Sequence, residues 1–102
     1  MQRLAFVMQI KEGCAAEYEK RHDEIWPELV ELLSSSGVQN YNIFLHGLTL
    51  FACLETEDPA AIDTMKDNEL TWNWWRYMEP LMECNEDSSP KIEVIPQVFH
   101  MD

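Results

Sequence analysis

Basic side chains, glycine and paired cysteine are all scarce in this sequence, and each shortage removes a class of function. Lys and Arg number 7 against 19 Asp and Glu, for a formal net charge of −12. A field of that sign repels phosphate backbones and anionic lipid headgroups, so neither nucleic acid nor a membrane is an expected partner, and an anionic substrate is disfavoured. The acidic excess is spread along the chain with no acidic tail, the pattern of a surface charged for solubility. With 3 glycines in all, there is no Gly-rich loop to cradle a phosphate. Cys14, Cys53 and Cys84 are odd in number, far apart and without CxxC spacing. They offer neither a disulfide framework nor a zinc knuckle, have no neighbouring His or Lys to depress a thiol pKa, and suit a reducing cytoplasm. No apolar run is long enough for a membrane span or a signal sequence, the N-terminal one turning polar at Lys11.

What is present is enough for one core. At 102 residues and 46% hydrophobic content, residues 1–102 are expected to form a single domain. Residues 4–10 are apolar with a β-branched and aromatic bias and predict a buried strand. Over 14–36, Tyr18, His22, Ile25, Trp26, Leu29, Leu32 and Leu33 recur at steps of three and four, which predicts a helix stopped by Gly37. Pro27 lies inside it, and its missing N–H and clash with the Asp23 carbonyl predict a kink or break between His22 and Pro27. Residues 38–45 and 48–55 flank His46 and Gly47 as an antiparallel hairpin. Asp58 and Pro59 start a helix over 60–66, Asp67 and Asn68 interrupt it, and a second helix covers 70–82. After a polar loop at 85–90, a last strand over 92–101 carries Pro96 and is expected at an edge or to start late.

The order β-α-β-β-α-β is that of a ferredoxin-like α+β domain, with helices on one face of an antiparallel sheet. The other face is then bare. With Phe6, Met8, Phe44 and Phe51 expected on it, a second copy of the sheet is the simplest cover, which predicts a homodimer.

Residues suited to chemistry gather on the two helical stretches. His22 shares a helix face with Tyr18, one turn before it, and Trp26, one turn after. Two readings stay open for it: a core histidine satisfied by a backbone carbonyl, or a proton carrier in a pocket wall at the kink. Trp72, Trp74, Trp75 and Tyr77 exceed what one short helix needs for packing. Trp74 and Trp75 are adjacent and cannot share a face, so one is expected toward the core and the other toward a cleft or a subunit boundary. Packing with an interface anchor accounts for them; so does a platform for a small neutral sugar, whose apolar C–H face lies on an indole while its hydroxyls seek polar groups at the rim. Tyr18 and Tyr41 could supply rim hydroxyls, although tyrosine is also an ordinary strand residue. His22, His46 and His100 fall on different elements with no carboxylate at ligand spacing, so no metal site is expected.

Five segments carry a resemblance: AFVMQI at 5–10, EYEKRHDEIWPEL at 17–29, NYNIFL at 40–45, WWRYM at 74–78 and VFHM at 98–101. Together they resemble the L-rhamnose mutarotase family from end to end, with RHxxIWPEL and WWxYM the most specific. The resemblance implies a dimeric α/β barrel of ferredoxin-like subunits that interconverts the α and β anomers of L-rhamnose, or a related 6-deoxyhexose, without a cofactor. It implies His22 as the catalytic proton donor and Tyr18, Tyr41, Trp74 and Trp75 as substrate contacts. Two segments depart from the family pattern. The turn at His46 and Gly47 is shorter than in bacterial members. The loop NEDSSP at 85–90 stands where members often have NPDNSP, so Ser88 replaces an asparagine, which bears on the sugar selected if that asparagine contacts it.

Mutarotation protonates the ring oxygen while a base removes the anomeric hydroxyl proton, then closes the ring on the other carbonyl face. The base is open between a tyrosine, Glu28 and a bound water. Met8, Ile10, Trp74 or Trp75 are the expected neighbours of a deoxy sugar's methyl group. The alternatives are a sugar-binding or regulatory dimeric module without turnover and, by analogy of fold alone, a dimeric-barrel monooxygenase.

Overall fold

The structure, a computed structural model, describes residues 1–102 except the side chains of 61 and 62. Strands β1 (Gln2–Gln9), β2 (Val38–His46), β3 (Thr49–Thr56) and β4 (Glu93–Ile95) form one antiparallel sheet in the order β2-β3-β1-β4. Helices α1 (Ala15–Asp23), α2 (Pro27–Ser35), α3 (Ala60–Asp63) and α4 (Glu69–Met78) connect them. This is the expected ferredoxin-like α+β fold. No helix among the described residues is long and apolar enough to cross a membrane.

The pleat decides which residues meet the helices. Met8 and Phe6 pair with Leu50 and Ala52, and Met8, Ile10, Leu50 and Ala52 join Tyr18, Leu29, Trp74 and Met78 in the core. Phe6 and Met8 therefore face the helices, not the bare side where they were expected. The apolar run over 4–10 conceals the alternation, because Ala5 and Val7 are apolar too. Phe44 and Phe51 do pair on the bare face, 65% and 41% exposed.

Prolines set the element ends. Residue 27 is the first residue of α2, and Trp26 before it is extended at φ −61°, ψ 127°, so the expected kink is a full break with a three-residue joint. Asn68 caps α4, its side-chain oxygen accepting from the Leu70 N–H at 2.9 Å. The helix expected over 70–82 ends at Met78 and continues as a 3₁₀ turn, Glu79–Leu81, because Pro80 has no N–H for an α-helical bond. Strand β4 covers three residues of the expected 92–101, since Pro96 cannot donate to the ladder. Beyond it Val98, Phe99 and Met101 are exposed.

Two left-handed residues shape the surroundings of the cleft. Asn40, at φ +48°, lies in a register shift of β2 between Gln39 and Asn42, and the extra residue turns Tyr41 to the helix side, where it meets Phe6 edge-on at 6.4 Å. Ser88, at φ +81°, occupies a conformation that asparagine adopts more readily than serine.

Candidate functional site

A cleft of about 1580 Å³ opens between the helices and the sheet, lined by α1 through Tyr18 and His22, by α4 through Thr71, Trp74 and Trp75, and by the strands through Phe6, Met8 and Tyr41. His22 sits in the last turn of α1. Its Nδ1–H donates to the Tyr18 carbonyl at 3.1 Å, and the same four-residue spacing stacks the imidazole on the Tyr18 ring at 4.3 Å and 28°. Trp74 meets the imidazole edge-on at 5.5 Å and 87°, and is itself met edge-on by Trp26 at 5.0 Å. The two readings of His22 are thus not exclusive: one ring nitrogen is satisfied by a backbone carbonyl, while Nε2 has no protein partner among the described residues.

Burial lowers the His22 pKa, opposed by the Tyr18 carbonyl and the Asp23 carboxylate, which both favour the cation. Burial prevails, so near neutral pH the ring is uncharged, with its proton on Nδ1 and a lone pair on Nε2. The phenols are shifted the other way. Burial raises Tyr18, with Tyr41 adding to the shift, and burial of the Tyr41 hydroxyl pushes that group up to about 12, although the residue as a whole is 38% exposed. Both hydroxyls stay protonated and can donate.

Trp75 lines the same cleft, but its ring packs edge-on to Trp72 at 4.8 Å, so the adjacent indoles do diverge. Ile10 is 2% exposed and belongs to the core, leaving Met8 as the strand residue of the pair that reaches the cleft. Glu28 is exposed on α2 and is not part of the lining, whose carboxylates are Glu19, Asp23 and Asp63. Spacing gave no hint of Arg21, which pairs with Glu17 at 3.2 Å, lies 4.2 Å over the Tyr77 ring and donates to the Tyr77 carbonyl. Tyr77 in turn packs on Trp26 and Trp74, so Arg21 clamps α1 to α4 behind the indoles. No group of three or more His, Cys, Asp or Glu among the described residues is placed to hold a metal ion.

A family model described as L-rhamnose mutarotase matches residues 3–101. The chain belongs to the L-rhamnose mutarotase family. The L-rhamnose mutarotase of Bacteroides thetaiotaomicron is 47% identical over 104 residues, covering 100% of both chains. That of Leptothrix cholodnii is 44% identical over 104 residues, covering 99% of this chain and 97% of the relative. The crystal structure of L-rhamnose mutarotase from Formosa agariphila superposes with a TM-score of 0.92 at 36% identity over 100% of both chains. A dimeric ferredoxin-like protein from an uncultured marine organism, at TM-score 0.65 and 16% identity over 98% of this chain and 96% of the other, shares the fold alone. Of the segments that resemble the mutarotase family, those at 17–29, 40–45 and 74–78 supply Tyr18, His22, Tyr41, Trp74 and Trp75 to one cleft. The mutarotase-like segment at 98–101 contributes nothing to it, and Phe99 and Met101 there are exposed.

Proposed function

We propose that the cleft binds L-rhamnose and interconverts its α and β anomers, with His22 carrying the proton. The observation that supports this most is the His22 ring itself. It is neutral, fixed through Nδ1 and open at Nε2, and it is set among aromatic faces in a member of the mutarotase family. Nε2 takes the anomeric hydroxyl proton as the C1–O5 bond breaks, and O5 takes a proton from a tyrosine hydroxyl or water. The open-chain aldehyde turns about C1–C2. On closure each proton travels back, so the base of ring opening is the proton donor of ring closing. Tyr18 and Tyr41 offer hydroxyls to the sugar, and Trp74 and Trp75 offer apolar faces and a seat for the deoxy methyl. Proton transfer suffices for this chemistry, and no cofactor enters it. The exposed Phe44 and Phe51 support a homodimer, and the unpaired cysteines a cytoplasmic setting for a single domain spanning 1–102.

Saturation transfer between the two anomeric proton signals of L-rhamnose tests the reading. Wild type is expected to speed exchange, and His22→Ala to lose at least about a hundredfold of that rate. Binding without faster exchange by wild type would instead make this a sugar-binding module. Unchanged exchange by His22→Ala would remove the histidine from the mechanism.

A further inference from the structure

We infer that Thr71 is a hydrogen-bonding contact for one hydroxyl of the bound sugar, an extension that rests on the sugar-binding reading of the cleft. Thr71 lies on α4 at the spacing that puts it on one face with Trp74, Trp75 and Met78. It is 4% exposed and lines the cleft that His22 and Trp74 line. Among the described residues its Oγ1 is the one buried side-chain nitrogen or oxygen without a hydrogen-bond partner. The other buried threonine and serine are satisfied: Thr56 donates to the Asp58 carbonyl at 3.2 Å, and Ser89 accepts from the Asn85 amide at 3.0 Å.

The backbone explains why no local partner serves. A threonine inside a helix commonly bonds the carbonyl four residues earlier. Thr71 is only the third residue of α4, the chain before it turns extended at Asn68, φ −107°, ψ 126°, and the Asn68 carbonyl already accepts the Thr71 backbone N–H at 3.1 Å. A position that required packing alone would be better filled by valine, which has the same shape and no polar atom to satisfy. A sugar hydroxyl both donates and accepts, as threonine does. Threonine in a helix divides between two χ1 rotamers, so Oγ1 can swing toward the cleft without moving α4.

The test compares Thr71→Val and Thr71→Ser with wild type, reading L-rhamnose affinity by calorimetry, anomer exchange by saturation transfer and thermal stability. Thr71→Val is expected to weaken L-rhamnose binding about tenfold while raising the melting temperature, and Thr71→Ser, which keeps the hydroxyl, to stay within about threefold of wild type. Of the 2-, 3- and 4-deoxy analogues of L-rhamnose, one should lose affinity for wild type and show no such loss with Thr71→Val. Equal affinity of wild type and Thr71→Val, or an analogue series with the same pattern in both proteins, overturns the contact. Thr71→Ala serves the same comparison if the valine variant does not fold. A wild type that neither binds L-rhamnose nor exchanges its anomers overturns the mutarotase reading itself, whereas an active wild type beside an unimpaired valine variant overturns the Thr71 contact alone.

Discussion

In the proposed reaction an imidazole that rests neutral with Nδ1 engaged begins by accepting a proton, and the acid limb of the pH profile should report this. Burial sets the His22 pKa below its ordinary 6.5. The active form therefore persists as pH falls through 6.5 and is lost only below it. Across about pH 5 to 8, kcat/KM for anomer exchange should stay level through 6.5 and then fall with the slope of a single proton. A midpoint at or above 6.5 would count against the neutral resting state. Stability follows the same sign: an unfolded histidine binds a proton more readily than this buried one, so stability is full above the unfolded pKa and declines as pH falls through the folded one. The Tyr18–His22 stack was legible in the sequence because a four-residue helical step fixes it. The Arg21–Tyr77 clamp was not, because it joins residues 56 apart, and Thr71 was overlooked although its spacing from Trp74, Trp75 and Met78 follows the same rule.

Single residues act here by redirecting whole elements. The break at Pro27 was readable from the chemistry of proline, and so was its place one turn after His22. The bulge at Asn40 was not, since an extra residue in β2 leaves no mark on an apolar pattern, yet it is what turns Tyr41 toward Phe6. Ser88 bears on the choice of sugar only if the asparagine often found at that place contacts it. The serine stands at a left-handed φ, beside the lining residues Asn85, Ser89 and Pro90 and not itself among them, a conformation that asparagine adopts more readily than serine. Ser88→Asn should therefore raise stability by about half a kcal/mol in chemical denaturation while leaving anomer exchange and sugar preference unchanged. A changed preference among 6-deoxy sugars would return the position to the binding site.

At the scale of the molecule, the β-α-β-β-α-β order could be read directly from hydrophobic periodicity and turn residues. The assignment of sheet faces could not, because the apolar run over 4–10 reads alike in both registers. The proposed homodimer makes a direct prediction. Phe51, 41% exposed on the bare face of a central strand, takes no part in the core cluster. Phe51→Asp should keep its circular-dichroism spectrum and sediment as a monomer at micromolar concentration where wild type sediments as a dimer. A monomeric wild type would dismiss the dimer, and an unfolded Phe51→Asp would mean that the face matters to the subunit alone.

The pleat of β3 has a further consequence. Leu50 and Leu54 line the cleft, whereas Phe51 and Cys53, on the opposite side of the same strand, do not. In the proposed reading, neighbouring positions of one strand thus serve different ends. On that reading an engineer can vary assembly at the odd positions of this strand and sugar binding at the even ones, in separate libraries.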